Sequence, residues 1–315
     1  MTRPLSDFNP PTGVALPLGE GVRRIVAPNA SPMTHRGTNT YLLGRAQVAV
    51  IDPGPDDPRH LRAILKATDG GRSISHILIT HAHRDHCALA GRLSEATGAK
   101  VHAYGTAQEG RSPRMQGLVA RGILAEGAGS DGSFTPDMRV RHGQLLRGAD
   151  WTLEVLHTPG HMGNHISLAW GACCFSGDHV MGWSTSVIAP PEGDLTDFLA
   201  SCRLLQGRQW RCFFPGHGAP VLQPNARLAW LVAHRQQRES AILAQLSKGA
   251  QRASEIAQAL YQDIPPALHH AALGNVMAHL IDLRAQGRVA SVGSLNWDAV
   301  FRSLPQGEVP SLGGE

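Results

Sequence analysis

Paired cysteine, long apolar runs and charge are all scarce in this 315-residue sequence. Asp, Glu, Lys and Arg together reach only 17%, which excludes a disordered polyelectrolyte. There are five cysteines, an odd number, two of them adjacent at Cys173 and Cys174, and no Cys-x-x-Cys. A disulfide scaffold and a thiolate zinc finger are therefore excluded, and a reduced, cytoplasmic protein is expected. No stretch reaches the roughly 18 apolar residues of a membrane span. The segment Met1–Pro11 carries no apolar run behind Arg3, so it does not read as a secretory signal. No internal repeat is visible.

What is present is a 42% hydrophobic content, enough for a sizeable core, and a length that allows one large domain or two. The formal charge of +4 permits an anionic substrate without demanding one. The unusual count is 17 histidines, the commonest metal-binding side chain. Short strands are expected at Thr40–Leu43, Val48–Asp52, Ser75–Thr80 and Lys100–Tyr104, with helices over Pro58–Thr68 and Asp85–Thr97. Strand–loop–helix–strand is the unit of a sheet with helices packed outside it. Residues 105–140 read as irregular. Strands resume at Trp151–His157, His165–Trp170, Cys173–Ser176 and Cys212–Phe214, with a helix over Thr196–Gln206. Beyond Pro224 the pattern becomes helix, helix, helix and then a hairpin over Val289–Trp297 centred on Gly293-Ser294, the outline of a winged helix. The expected division is a catalytic domain over 1–223, a connector helix plus winged-helix-like α domain over 224–305, and a fraying tail over 306–315.

The chemistry concentrates in His81-Ala-His83-Arg-Asp85-His86, which follows an apolar strand and opens a helix. In an extended loop, side chains two apart point the same way, so His81 and His83 can converge on one ion. Asp85 and His86, turning into the helix, face a second. His161 in Thr-Pro-Gly-His, Asp178 in Ser-Gly-Asp and His217 in Pro-Gly-His-Gly each sit at a strand end in a glycine turn. Five His and two Asp without thiolate suit two divalent cations, Zn²⁺ first, with Mn²⁺ or Fe²⁺ allowed.

These motifs resemble the metallo-β-lactamase fold in its glyoxalase-II-like binuclear branch, over roughly residues 20–220. The resemblance implies an α+β, four-layer αββα sandwich with the site where the two sheets meet. It implies His81, His83 and His161 on the first metal, Asp85, His86 and His217 on the second, and Asp178 bridging. A hydroxide shared by two zinc ions would then be the nucleophile, with Asp85 and Asp178 as the catalytic carboxylates: Asp178 sets the spacing and Asp85 binds the second metal. Gly37-Thr-Asn-Thr-Tyr-Leu-Leu, the Ile188–Asp194 segment and the winged helix narrow the match to the β-lactamase-like protein 2 family and its bacterial relatives. Animal members of that family cut single-stranded RNA, and bacterial ones are mostly generic hydrolases. Asp85-His86 and Asp178 stand where periplasmic β-lactamases often use Cys, which argues against antibiotic degradation.

The expected function is hydrolysis of a small ester, thioester or lactone. The alternatives are a single-stranded RNA endonuclease using the same site, and a winged-helix regulator with a metal-sensing domain. The intact ligand set argues against the regulator. Asp52, in Asp-Pro-Gly, is either a turn former or the partner of a ligand histidine, and the resemblance places it close behind the first metal. His165, Trp183 and Ser184 are candidates to lie near substrate, and Cys87 is expected to be buried. Residues 105–140 are a candidate lid, and six arginines between 111 and 147 make the region basic, either as a solvated surface, the commoner case, or as an attraction for an anionic substrate. The winged helix has few cations beyond Arg284 and Arg288, so docking against the catalytic domain as a wall of the cleft is as well supported as nucleic-acid binding. No membrane partner is expected, and self-association as a homo-oligomer is allowed.

Overall fold

The computed structural model describes residues 8–19, 21–123 and 129–305; the expected tail over 306–315 lies outside them. The first sheet has seven strands in sequence order: β1 (Leu16–Gly19), β2 (Val22–Val26), β3 (Asn39–Leu43), β4 (Gln47–Ile51), β5 (Ser73–Leu78), β6 (Lys100–Ala103) and β7 (Met138–Arg139). Strands β1 to β4 run antiparallel, and β4 to β7 are parallel, joined by crossovers. The second sheet contains β8 (Leu145–Arg147), β9 (Thr152–His157), β10 (Ile166–Trp170), β11 (Cys173–Gly177) and β12 (Cys212–Pro215). Only the β11–β12 pair in it is parallel.

Three buried clusters define the layers. Ile64 of α1 (Pro58–Thr68) and Leu93 of α3 (Ala90–Thr97) pack on Leu42, Val50 and Ile77 of the first sheet. Tyr41, Ile51 and Leu78 face Leu153, Leu168 and Phe175 between the sheets. Phe198 and Leu205 of α5 (Leu195–Gln206), with Leu228 and Leu231 of α6 (Pro224–Leu246), cover Cys174 and Phe213 on the far face. This is the expected αββα sandwich. Each large side chain buried there contributes about 1.5–3 kcal/mol. The Tyr41 hydroxyl is not left orphaned, since it donates to Pro215 O at 2.7 Å.

Local chemistry sets the helix ends. Asp57 caps α1 by accepting from Arg59 N and His60 N, and Pro58 fills the first turn. Gly98 closes α3 at φ 73°. The expected single helix over Asp85–Thr97 is broken into α2 (Arg84–Cys87) and α3 at Ala88-Leu89. The stretch 105–140 is not wholly irregular: it holds α4 (Pro113–Ala120), capped by Ser112, and β7.

The C-terminal region contains α7 (Ala253–Leu260), α8 (His269–Ala285) and a three-stranded sheet of β13 (Gln251–Arg252), β14 (Val289–Val292) and β15 (Val300–Ser303). It is a winged helix. The hairpin differs from expectation: β14 pairs with β15 across residues 293–299, so Gly293-Ser294 opens the turn rather than centring it. Its core includes Met115 and Leu118 of α4, and α6 contributes Ile242 and Leu246 to it as well. Among the described residues no helix is long and apolar enough to cross a membrane. All five cysteines are buried and none is in a disulfide.

Candidate metal centre

The two sheets touch at one edge, where Asn39 N donates to Gly216 O at 2.7 Å and Thr38 bridges to His217. The chain ends its strands around this seam. Asp52 follows β4, His81 to His86 follow β5, Asp178 follows β11 and His217 follows β12, while His161 lies in the β9–β10 connection. The seven residues singled out in the sequence, drawn from segments up to 136 positions apart, are brought together here.

They form two sets. His81 Nε2 and His161 Nε2 lie 2.9 and 3.0 Å from His83 Nδ1. His86 Nε2 lies 3.3 Å from His217 Nε2, and Asp85 Oδ2 is 3.5 and 3.3 Å from those two nitrogens. Asp178 Oδ2 stands between the sets, 3.3 Å from His217 Nε2, 3.5 Å from His86 Nε2 and 3.8 Å from His161 Nε2. Gly216 leaves the room for this, because a Cβ there would run into Asp178 Oδ1 and His86 Cε1.

The ring nitrogens facing away from the convergence points are engaged. His161 Nδ1 donates to Val187 O at 2.6 Å and His217 Nδ1 to Gly37 O at 3.3 Å. A carbonyl only accepts, so Nδ1 keeps its proton and, whenever these rings are neutral, Nε2 carries the lone pair and points inward. His86 Nδ1 bonds Asp52 Oδ2 at 2.9 Å, and His83 Nε2 lies 3.5 Å from Glu192 Oε2. Asp178 Oδ1 is buried without a partner. Converging lone pairs, an orphaned carboxylate oxygen and an absence of thiolate are the donor set that divalent cations require, so the residues fit the metal that the fold implies.

Electrostatics point the same way. Burial opposes charge on His86 and His217, yet Asp85, Asp178 and Asp52 around the first and Asp178 beside the second outweigh it. His86 is held well above the usual imidazole range and His217 at about 9. Burial likewise opposes ionisation of Asp178, but His217 and His86 hold it well below the carboxylate range. The centre thus stabilises positive charge at its middle. His161 is pushed down to about 4, first by burial and then by His83.

Asp52 is placed differently from expectation. Asp52 does not sit directly behind the first set. It bonds His86 of the second, and reaches His81 only through Thr80, whose Oγ1 contacts Asp52 Oδ2 at 2.7 Å and His81 Nδ1 at 3.0 Å. Its φ of 50° turns the carboxylate that way. His165 is fully buried beside His81, with Nδ1 on Thr158 Oγ1 at 3.0 Å, the local bonding such a histidine more often makes, and it does not line the cleft. Trp183 and Ser184 do line it. Cys87 is buried as expected, and burial raises its thiol. Of the basic stretch, only Gly129 among the described residues reaches the cleft, and Arg139 pairs with Glu109. Among the described residues the stretch places no arginine in the cleft.

The cleft that opens from the centre has a volume of about 420 Å³. His83, Asp85, His161, Asp178 and His217 form its floor; Met33, Met181 and Trp183 form one side, and Tyr261, Ile264, Leu268 and Ala272 of the winged helix form the other. The winged helix is therefore a wall of the site. The sequence reading missed the roles of Glu192 and of Val187 O. Glu192 lies inside the quoted Ile188–Asp194 segment but carries no spacing signal, and a backbone carbonyl leaves none at all.

A family model for the metallo-β-lactamase superfamily matches residues 33–240, and one for the β-lactamase-associated winged helix domain matches residues 253–297. The chain belongs to the metallo-β-lactamase superfamily. It is 31% identical over 281 residues to a β-lactamase-like protein 2 homolog of Drosophila melanogaster, covering 86% of this chain and 90% of the fly protein. It is also 27% identical over 235 residues to the atrochrysone carboxyl ACP thioesterase AacuM of Aspergillus aculeatus, covering 73% of this chain and 66% of that one. A β-lactamase domain protein from Burkholderia ambifaria shares the fold, with a TM-score of 0.78 at 21% identity and 96% coverage of both chains. This member of the superfamily is a hydrolase whose fold binds divalent metal and which carries a C-terminal winged helix.

Proposed function

We propose that this hydrolase cleaves an ester or thioester with an apolar acyl part, using two divalent cations, Zn²⁺ by preference. His81, His83 and His161 hold one cation; Asp85, His86 and His217 hold the other; Asp178 is shared. When bound, such a pair supplies hydroxide near neutral pH and a Lewis acid for the acyl oxygen.

The rest of the work falls to the chain itself. Asp52 and Glu192 keep His86 and His83 turned inward. Thr38 Oγ1 donates to Asp85 Oδ2 at 3.2 Å, which fixes the more exposed of the two carboxylates. Met33, Met181 and Trp183 on one side and Ile264 and Leu268 on the other take the acyl part out of water, leaving the scissile carbonyl over the floor. Asp85 already binds a cation in this reading, so no free general base is assigned.

The observation that carries the substrate class is that the cleft's walls bring Met33, Met181, Trp183, Ile264 and Leu268 over the floor, while among the described residues no Lys or Arg lines it. A polyanion draws most of its affinity from phosphate contacts to such cations. The wing offers little compensation, because Arg288 is already paired with Glu239. That the fungal relative is named a thioesterase agrees with acyl chemistry. The test is a turnover panel on the zinc-loaded protein: thioesters and esters of graded acyl length against an unstructured RNA oligonucleotide. Faster acyl hydrolysis, rising with chain length, supports the proposal. Metal-dependent RNA cleavage that fades with salt, with inert esters, would replace it.

A further inference from the structure

The loop from Ser186 to Asp194, without helix or strand of its own, touches two of the three imidazoles of the first set. Val187 O accepts from His161 Nδ1 at 2.6 Å, and Glu192 Oε2 lies 3.5 Å from His83 Nε2. Both contacts are on the outward ring nitrogen, so they fix the tautomer and the tilt of the rings.

The loop is itself held by helices that pack into the C-terminal core. Arg235 of α6 donates to Ser186 O at 2.5 Å and to Asn275 Oδ1 at 2.9 Å. Asn275 Oδ1, on α8, also accepts from Ile188 N at 3.2 Å, and Asn275 Nδ2 donates to Ala271 O at 3.0 Å. Beside it, Gly274 packs so closely that an added Cβ would stand 2.9 Å from Ala189 Cβ. Arg235 is 2% exposed and Asn275 8%, so solvent does not replace these bonds when they are lost. The second set is held differently: Asp52, just after β4, and Gly37, in the loop before β3, engage His86 and His217, and the 186–194 loop meets this set only through Ser186 Oγ, which donates to Asp178 O at 2.5 Å.

We infer that Arg235 and Asn275 are positioning residues, through which the winged helix sets the cation affinity of the His81, His83 and His161 set and acts more weakly on the Asp85, His86 and His217 set, which the loop reaches only through Ser186 Oγ on Asp178 O. The inference rests on reading the first set as a cation site. It makes the C-terminal region part of the metal centre as well as a wall of the cleft.

Zn²⁺ titration of the full chain in two backgrounds separates the sets. His217→Ala cripples the second and His83→Ala the first. In the His217→Ala background, Asn275→Ala is expected to weaken Zn²⁺ binding about tenfold, at the lower end of what partners of ligands cost. Asn275→Asp keeps the acceptor oxygen and restores the affinity. In the His83→Ala background, Asn275→Ala has a clearly smaller effect. Phe301→Leu, in the C-terminal core away from the loop, lowers the unfolding midpoint without moving either affinity. An unchanged affinity in Asn275→Ala, an equal loss in both backgrounds, or a loss matched by Phe301→Leu overturns the inference. Should Asn275→Ala fail to fold, Arg235→Met carries the same expectations. A His217→Ala chain with Asn275 intact that binds no zinc overturns the cation assignment, and this inference with it.

Discussion

Asp52 Oδ2 accepts from His86 Nδ1 at 2.9 Å, with both side chains buried. The same carboxylate accepts from Thr80 N at 2.8 Å and from Thr80 Oγ1, and Thr80 leads directly into the His81 loop. One side chain thus ties the end of β4 to both halves of the centre. Asp52→Ala is expected to weaken the second cation about 10–100-fold, read by zinc competition with a chelating dye, with a smaller effect on the first. Equal affinities in parent and variant would show that His86 is oriented by other means.

The Gly216 backbone runs beside the centre: an added Cβ would run into Asp178 Oδ1 and stand 2.7 Å from His86 Cε1. Gly216→Ala forces Asp178 or His86 aside, and overpacking of this kind costs about 1–3 kcal/mol. Urea unfolding should record that loss, together with weaker binding of both cations because Asp178 is shared. A variant that binds two cations as tightly as the parent would mean that Asp178 does not serve both sets.

The winged-helix wall predicts a chain-length effect. Leu268→Ala removes apolar surface from the cleft at about 0.8 kcal/mol per lost methylene contact. KM should rise severalfold for long acyl esters and stay near the parent value for acetyl esters. A uniform change across acyl lengths would place the acyl part elsewhere.

His279 of α8 and His234 of α6 supply a pH dependence of stability away from the centre. Burial, then Arg235, pushes His279 down to about 3 and His234 to about 4. Both are neutral in the fold but take up a proton near pH 6.5 when unfolded. The unfolded state binds more protons below that pH, so stability is full above about 6.5 and falls as pH drops toward 4. Each excluded proton contributes about 1.4 kcal/mol per pH unit. His279→Leu should flatten the urea-stability profile between pH 6.5 and 4 relative to the parent. An identical slope would mean that His279 is charged in the fold.

Much of the centre was legible because its residues announce themselves locally. His81, His83, Asp85 and His86 occur in one hexapeptide, and His161, Asp178 and His217 each follow a strand with glycine beside them. The layers were legible for the same reason: apolar runs such as Ser73–Leu78 alternate with amphipathic helices such as α1. What escaped lacks a local signature. Strands β1 and β2 contain Pro17 and the pair Arg23-Arg24, and take their strand character from pairing, β1 with β2 and β2 with β3. Helix α4 has two glycine-flanked turns and is stabilised by Met115 and Leu118 entering the C-terminal core. Asp52 lay within reach of either set by sequence, and only the backbone turn at that residue directs it to His86.

The account stands most directly on metal stoichiometry. Protein stripped of metal and titrated with Zn²⁺ under equilibrium dialysis should take up two equivalents, and His217→Ala should reduce this to one tight equivalent. A single tight equivalent in the parent, or none with zinc in excess, would contradict the binuclear centre and the chemistry built on it.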